Sequence, residues 1–145
     1  MIDRLIKSLL SPEPQVLAEE DARLALTALL VRIARADHDY AAAEIAQIDR
    51  VLATRYHLTA PEVLALRAEA EALEAEAPDT VRFTNAIKAA VPYEDRLAVV
   101  EAAWSVVLAD GERASEENAL MRMIARLLGV TDRDSHIARR KMDTA

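Results

Sequence analysis

Cysteine is absent from the chain, which removes disulfides, thiolate metal sites and a cysteine nucleophile and is compatible with a reducing compartment. Glycine occurs twice, phenylalanine and tryptophan once each and tyrosine three times in 145 residues. That leaves too few turn formers and strand-forming aromatics for a β-rich fold, while Ala and Leu abound, so an all-α domain is expected. No apolar run reaches the roughly 18 to 20 uncharged residues of a membrane span. The N-terminus has neither the long apolar region nor the small-residue cleavage site of a secretory leader. A soluble, cytoplasmic protein is the expectation. A basic excess is missing too: 18 Lys and Arg stand against 25 Asp and Glu, a net charge of −7. Phosphate contacts need a basic face, so no nucleic-acid partner is expected. One domain of this length buries roughly 70% of its unfolded-chain surface and needs no second core.

What is present centres on Leu97 to Met121. From Leu97 to Ala109 only Glu101 and Ser105 are polar, four residues apart on one narrow stripe, so this helix is expected to be buried on several sides with Trp104 as a packing centre. Asp110 and Gly111 end it, and Ser115 can cap the next helix. A second core helix ends at Ala36, with Leu24, Leu26, Leu29, Leu30, Val31 and Ile33 inward and Arg23, Thr27, Arg32 and Arg35 marking its outside. Asp37 to Tyr40 follow it, and then a helix through Ile45, Ile48, Val51 and Leu52. Thr59-Ala60-Pro61-Glu62 is a capping box that opens a further helix, whose Glu69, Glu71, Glu74 and Glu76 read as a solvated face. Thr80 to Ala90 is expected to be helical with Val81, Phe83, Ile87 and Val91 inward; the last helix starts at Thr131-Asp132 and ends in the cations Arg139, Arg140 and Lys141. Residues 1–14 form an amphipathic helix and connector, and residues 15–145 a compact bundle, seven to eight helices in all.

Two parts of the chain repeat. With Asp37 set on Asp110, Asp39 falls on Glu112, Glu44 on Glu117, Ile48 on Met121 and Val51 on Ile124. After one residue of slippage Leu58-Thr59 falls on Val130-Thr131. The match reads as an internal duplication of a helical hairpin, paired about a pseudo-twofold axis.

The repeated turns carry the candidate chemistry. Asp37, Asp39 and Glu44, and likewise Asp110, Glu112 and Glu117, put carboxylates at positions one, three and eight. Hard cations such as Ca²⁺ or Mg²⁺ prefer such oxygens; Mn²⁺ and Zn²⁺ are kept as alternatives. An EF-hand is excluded, because its sixth-position glycine and twelfth-position glutamate are missing. The competing reading is plain capping, where an acidic group at a helix start contributes about 0.3 to 1 kcal/mol through the dipole. Catalytic constellations are missing: there is no Glu-x-x-His pair, no His-Glu-x-x-His, no Gly-x-Ser-x-Gly elbow and no phosphate-binding glycine loop. A metal-dependent hydrolase of unrecognised type and a metal-free interaction domain are the alternatives to a metal-binding module.

Ala36-Asp37-His38-Asp39 with Glu44, and Ala109-Asp110-Gly111-Glu112 with Glu117, together with LTALLVRIARA, RFTNAIK and GVTDRD, resemble the TerB family named for bacterial tellurite resistance. The resemblance runs from about Asp21 to Ile137 and extends to the N-terminal domain of a membrane-anchored DnaJ-type co-chaperone. It implies an all-helical, non-catalytic bacterial stress module that binds metal through the acidic turns and works through protein partners, some of them membrane-associated; self-association is open. The first turn departs from the family pattern, with His38 in place of glycine and Ala42 where the second copy has Ser115. The second turn is therefore the preferred site.

Overall fold

The computed structural model describes residues 19–36, 40–76, 79, 81, 84–85, 87–88, 91, 93–109 and 115–143. Six helices and no strand occur among them: α1 (Glu19–Ala34), α2 (Ala42–Tyr56), α3 (Ala60–Glu76), α4 (Tyr93–Val107), α5 (Ser115–Leu127) and α6 (Asp132–Asp143). The expected helix at residues 1–10 lies outside the described residues. Of the expected Thr80 to Ala90 helix, Val81, Thr84, Asn85, Ile87 and Lys88 are described and helical.

Two helices form the centre because their sequences leave little polar surface to expose. Every residue from Leu24 to Val31 is buried in α1, and Val99, Val100, Ala103, Trp104, Val106 and Val107 are buried in α4. Thr27 is buried with them, contrary to its expected outward position. Its hydroxyl donates to the Arg23 carbonyl at 2.8 Å, and this bond within the helix satisfies the polar group that burial would otherwise penalise.

The other helices cover this pair in two matching sets. α1 packs most extensively on α3, and α4 on α6. The two central helices touch each other, while α2 reaches across to α4 and α5 to α1. Facing α2 and α5 residues follow the same plan, with Ile48, Leu52, Met121, Ile124 and Ala125 all buried.

The helix ends match as well. Among the described residues the left-handed conformation occurs at His57 (φ 55°), after α2, and at Gly129 (φ 79°), after α5. At Gly129 the Val130 amide donates to the Ala125 carbonyl at 2.8 Å and Gly129 N–H to the Arg126 carbonyl at 3.0 Å, which closes α5 as a Schellman turn. Two residues beyond each left-handed position stands a threonine. Thr59 Oγ1 accepts from the Glu62 amide at 3.4 Å and Glu62 Oε1 accepts from the Thr59 amide at 2.9 Å, the full capping box read from the sequence. Thr131 Oγ1 accepts from the Asp134 amide at 3.1 Å.

Arg96 joins separate parts of the chain. Its Nη2 donates to the Lys88 carbonyl at 3.1 Å, Nε to the Val91 carbonyl at 3.2 Å and Nη1 to the Leu128 carbonyl at 3.5 Å. Val81, expected inward, is 47% exposed. Among the described residues no helix is long and apolar enough to cross a membrane.

Candidate functional site

The first acidic turn is bounded by residues fastened to α3. Tyr40, directly after it, donates its hydroxyl proton to Glu71 Oε2 at 2.7 Å, and the Arg35 guanidinium stands over its ring at 5.0 Å. Arg35 Nη1 lies 2.8 Å from Glu74 Oε1, Arg32 Nε 3.3 Å from Glu74 Oε2, and Arg67 bridges Glu71 at 3.3 Å and Asp49 at 2.7 Å. Glu71 and Glu74 are thus the acceptors of a half-buried network that ties α1, α2 and α3 together. The solvated face expected for the four glutamates is left with Glu69 and Glu76, which are exposed. Burial, then the bond to Glu71, pushes the Tyr40 phenol well above its ordinary value of 10.0, and burial raises Tyr56.

Glu44 occupies the first turn of α2 and is fully buried. Its Oε1 accepts from the Ala41 amide at 3.3 Å, half of a capping box; Ala41 has no side-chain oxygen to complete it. Asp37, Asp39, Asp110 and Glu112 lie outside the described residues, and Glu117 is described by its place in the first turn of α5 alone. Among the described residues no group of three or more His, Asp or Glu side chains is placed to hold a metal ion. The donor set read from the sequence is all carboxylate oxygen, which fits a hard cation. α5 begins at Ser115 and α2 at Ala42, the positions that the repeat sets on one another.

The segment that carries both turns decides the relationship. Residues 23–140 match the model of a family described as Tellurite resistance protein TerB. The chain belongs to the TerB family. No curated protein and no solved structure matches it. The TerB match begins at Arg23 in α1 and ends at Arg140 in α6, so it takes in all six helices and leaves the expected N-terminal segment outside.

A second feature lies on the opposite set of helices, where the sequence offered little signal. Trp104 is 5% exposed, as expected of a core residue, yet one side of it lines a cavity of about 330 Å³ together with Arg122, Asp132, Ser135, His136 and Arg139. Trp104 Nε1 donates to Ser135 Oγ at 3.1 Å, and the Arg139 guanidinium stands over the indole at 5.4 Å. Arg139 reads in the sequence as a cation suited to a helix C-terminus. Only the packing of α6 on α4 shows that it faces the tryptophan.

Proposed function

We propose that this TerB-family chain is a non-catalytic helical binding module that takes a divalent cation at its duplicated acidic turns and acts in the bacterial cytoplasm, under stress, through protein partners. The observation that carries the reading is the family match, which spans both turns in one continuous stretch. The duplication itself is supported by the matching helix starts, the paired left-handed residues and the paired threonine caps. In this reading residues 1–14 are a separate amphipathic helix and connector, residues 15–145 the bundle, and the full count is seven to eight helices.

Asp110, Glu112 and Glu117 form the principal site, with Asp37, Asp39 and Glu44 as its counterpart. Clustered carboxylates repel one another, so a cation between them would relieve the repulsion and join the end of one helix to the start of the next. Binding therefore stabilises the folded state. At a cation concentration 100 times the dissociation constant the gain is about 2.7 kcal/mol, a melting shift of several degrees.

The test is a thermal melt of the wild type and of Asp110→Asn with Glu117→Gln, with Ca²⁺, Mg²⁺, Mn²⁺ or Zn²⁺ at millimolar levels. A shift in the wild type that the double variant loses supports the metal site; no shift with any of the four ions ends it. Partner action is tested separately by affinity isolation from stressed cells. Recovery of the free chain alone under several stresses counts against it.

A further inference from the structure

The wall of the Trp104 cavity has a counterpart in the first half of the molecule, and the two differ in charge. Counted from the threonine caps, Arg139 takes the place of Arg67; the offset that sets Ile48 on Met121 sets Asp49 on Arg122. In the first half Arg67 Nε and Asp49 Oδ1 are 2.7 Å apart. In the second half two arginines line one cavity, and among the described residues neither is paired with a carboxylate. Arg139 has the Trp104 ring beneath it, which orients the guanidinium while leaving its N–H edges available. An ion pair has thus been exchanged for two like charges on the wall of one cavity, an arrangement that an anion bound between them would favour.

The apolar positions have changed in step. Val31 and Val63, both buried, correspond to Trp104 and Ser135. Ser135 is 6% exposed and its oxygen accepts the indole proton; no acceptor for its own proton stands among the described residues. A buried hydroxyl donor is stabilised by meeting an acceptor, and the cavity is the space it lines. His136 brings a further N–H. The single carboxylate on the wall, Asp132, lies at the exposed rim with Arg126 Nη2 at 3.4 Å.

We infer that this cavity binds the phosphate group of a small phosphorylated metabolite, held by Arg122 and Arg139 with the Ser135 hydroxyl as a third donor. Guanidinium groups grip tetrahedral oxyanions through paired hydrogen bonds. A volume of about 330 Å³ exceeds a bare phosphate and falls at the small end of ligand pockets, so a short organic portion fits with it. Asp132 at the rim can accept from a hydroxyl of that portion.

The only tryptophan in the chain sits in the cavity wall, so its emission reports binding directly. The full chain is titrated with glycerol 3-phosphate, glucose 6-phosphate, inorganic phosphate and phosphatidylglycerol vesicles at constant ionic strength, with sodium chloride as reference. A saturable change with one of the esters, tighter than with inorganic phosphate and weakened about tenfold or more in Arg122→Gln, is the expected result. Arg122 is exposed and makes no hydrogen bond or ion pair among the described residues, so that variant is expected to keep its fold, which a melting curve verifies. Arg139→Gln alters the indole environment itself and is followed instead by ³¹P line broadening, with the same loss expected. Asp110→Asn with Glu117→Gln leaves the titration unchanged, which separates this site from the acidic turns. A response equal to that of chloride, one indifferent to Arg122→Gln, or none to any phosphate overturns the proposal. Equal affinity for inorganic phosphate and the esters assigns the site to free phosphate, and a response confined to phosphatidylglycerol vesicles assigns it to a lipid surface; either removes the metabolite.

Discussion

The packing of α1 on α3 and that of α4 on α6 use apolar side chains alike and polar ones differently. Around α3 the surface is closed by Arg32, Arg35, Tyr40, Asp49, Arg67, Glu71 and Glu74, cations and acceptors alternating within 2.7 to 3.3 Å of one another. Around α6 the corresponding surface holds a cavity with two arginines and a tryptophan. The difference shows that backbone packing and surface chemistry are separable here: helices pair through buried Leu, Ile, Val and Ala in both halves, whereas the polar shell is free to be closed in one and open in the other.

The largest effect that separates the halves is at the indole. Trp104→Ala removes a buried ring and its hydrogen bond to Ser135, and should cost about 3 to 5 kcal/mol in urea unfolding. Val31→Ala at the corresponding position has less to lose and should cost clearly less. Glu74→Gln attacks the closed half, because Arg32 and Arg35 then face a neutral amide; about 1 to 2 kcal/mol should be lost, and the loss should shrink in a double variant with Arg35→Gln.

The left-handed pair sharpens the comparison further. An added Cβ at Gly129 would meet Arg96 Nη1 at 3.7 Å, an ordinary contact, so Gly129→Ala is penalised for its φ of 79° alone, by about 1 kcal/mol in a thermal melt. His57→Gly relieves the same conformation while freeing the unfolded chain, and should come out near neutral.

How much of this was legible depended on whether a residue's partners are near it in sequence. The capping box at Thr59 and Glu62 and the two core helices are local or periodic features, and the structure has them where spacing put them. Thr27 and Val81 were misplaced for a related reason: polarity is a poor guide to the inside when a hydroxyl bonds its own helix, and apolarity a poor guide when the covering element is unknown. Glu71 and Glu74 read as solvent-facing because partners of their carboxylates lie far off in sequence, Tyr40 being 31 positions from Glu71 and Arg32 and Arg35 being 42 and 39 from Glu74. The acidic turns announced themselves by repetition, while the cavity drew residues from α4, α5 and α6 that no single window contains.

Two smaller effects test the polar shell. Tyr40→Phe loses the bond to Glu71, about 1 kcal/mol at neutral pH, and changes the alkaline limb. The folded state holds the Tyr40 proton more tightly than the unfolded chain, so this contribution is whole below pH 10 and is lost as the pH rises beyond it. The variant should therefore decline less steeply above pH 10, retaining the part due to Tyr56, which burial shifts in the same direction. Smallest is Arg122→Asp, which rebuilds on α5 the ion pair that α2 makes with α3. A gain of up to about 0.5 kcal/mol is expected in a melt, read together with loss of the phosphate response.

Arg96 has a bearing on how the molecule breathes. A single guanidinium gripping the carbonyls of Lys88, Val91 and Leu128 couples the fraying of two chain segments that otherwise open independently. When it lets go, both segments lose a donor in the same event. Amide protons near Val91 and those near Leu128 should then exchange with solvent through one shared opening, with a common free energy and a common response to denaturant, although about thirty-seven residues of chain lie between them.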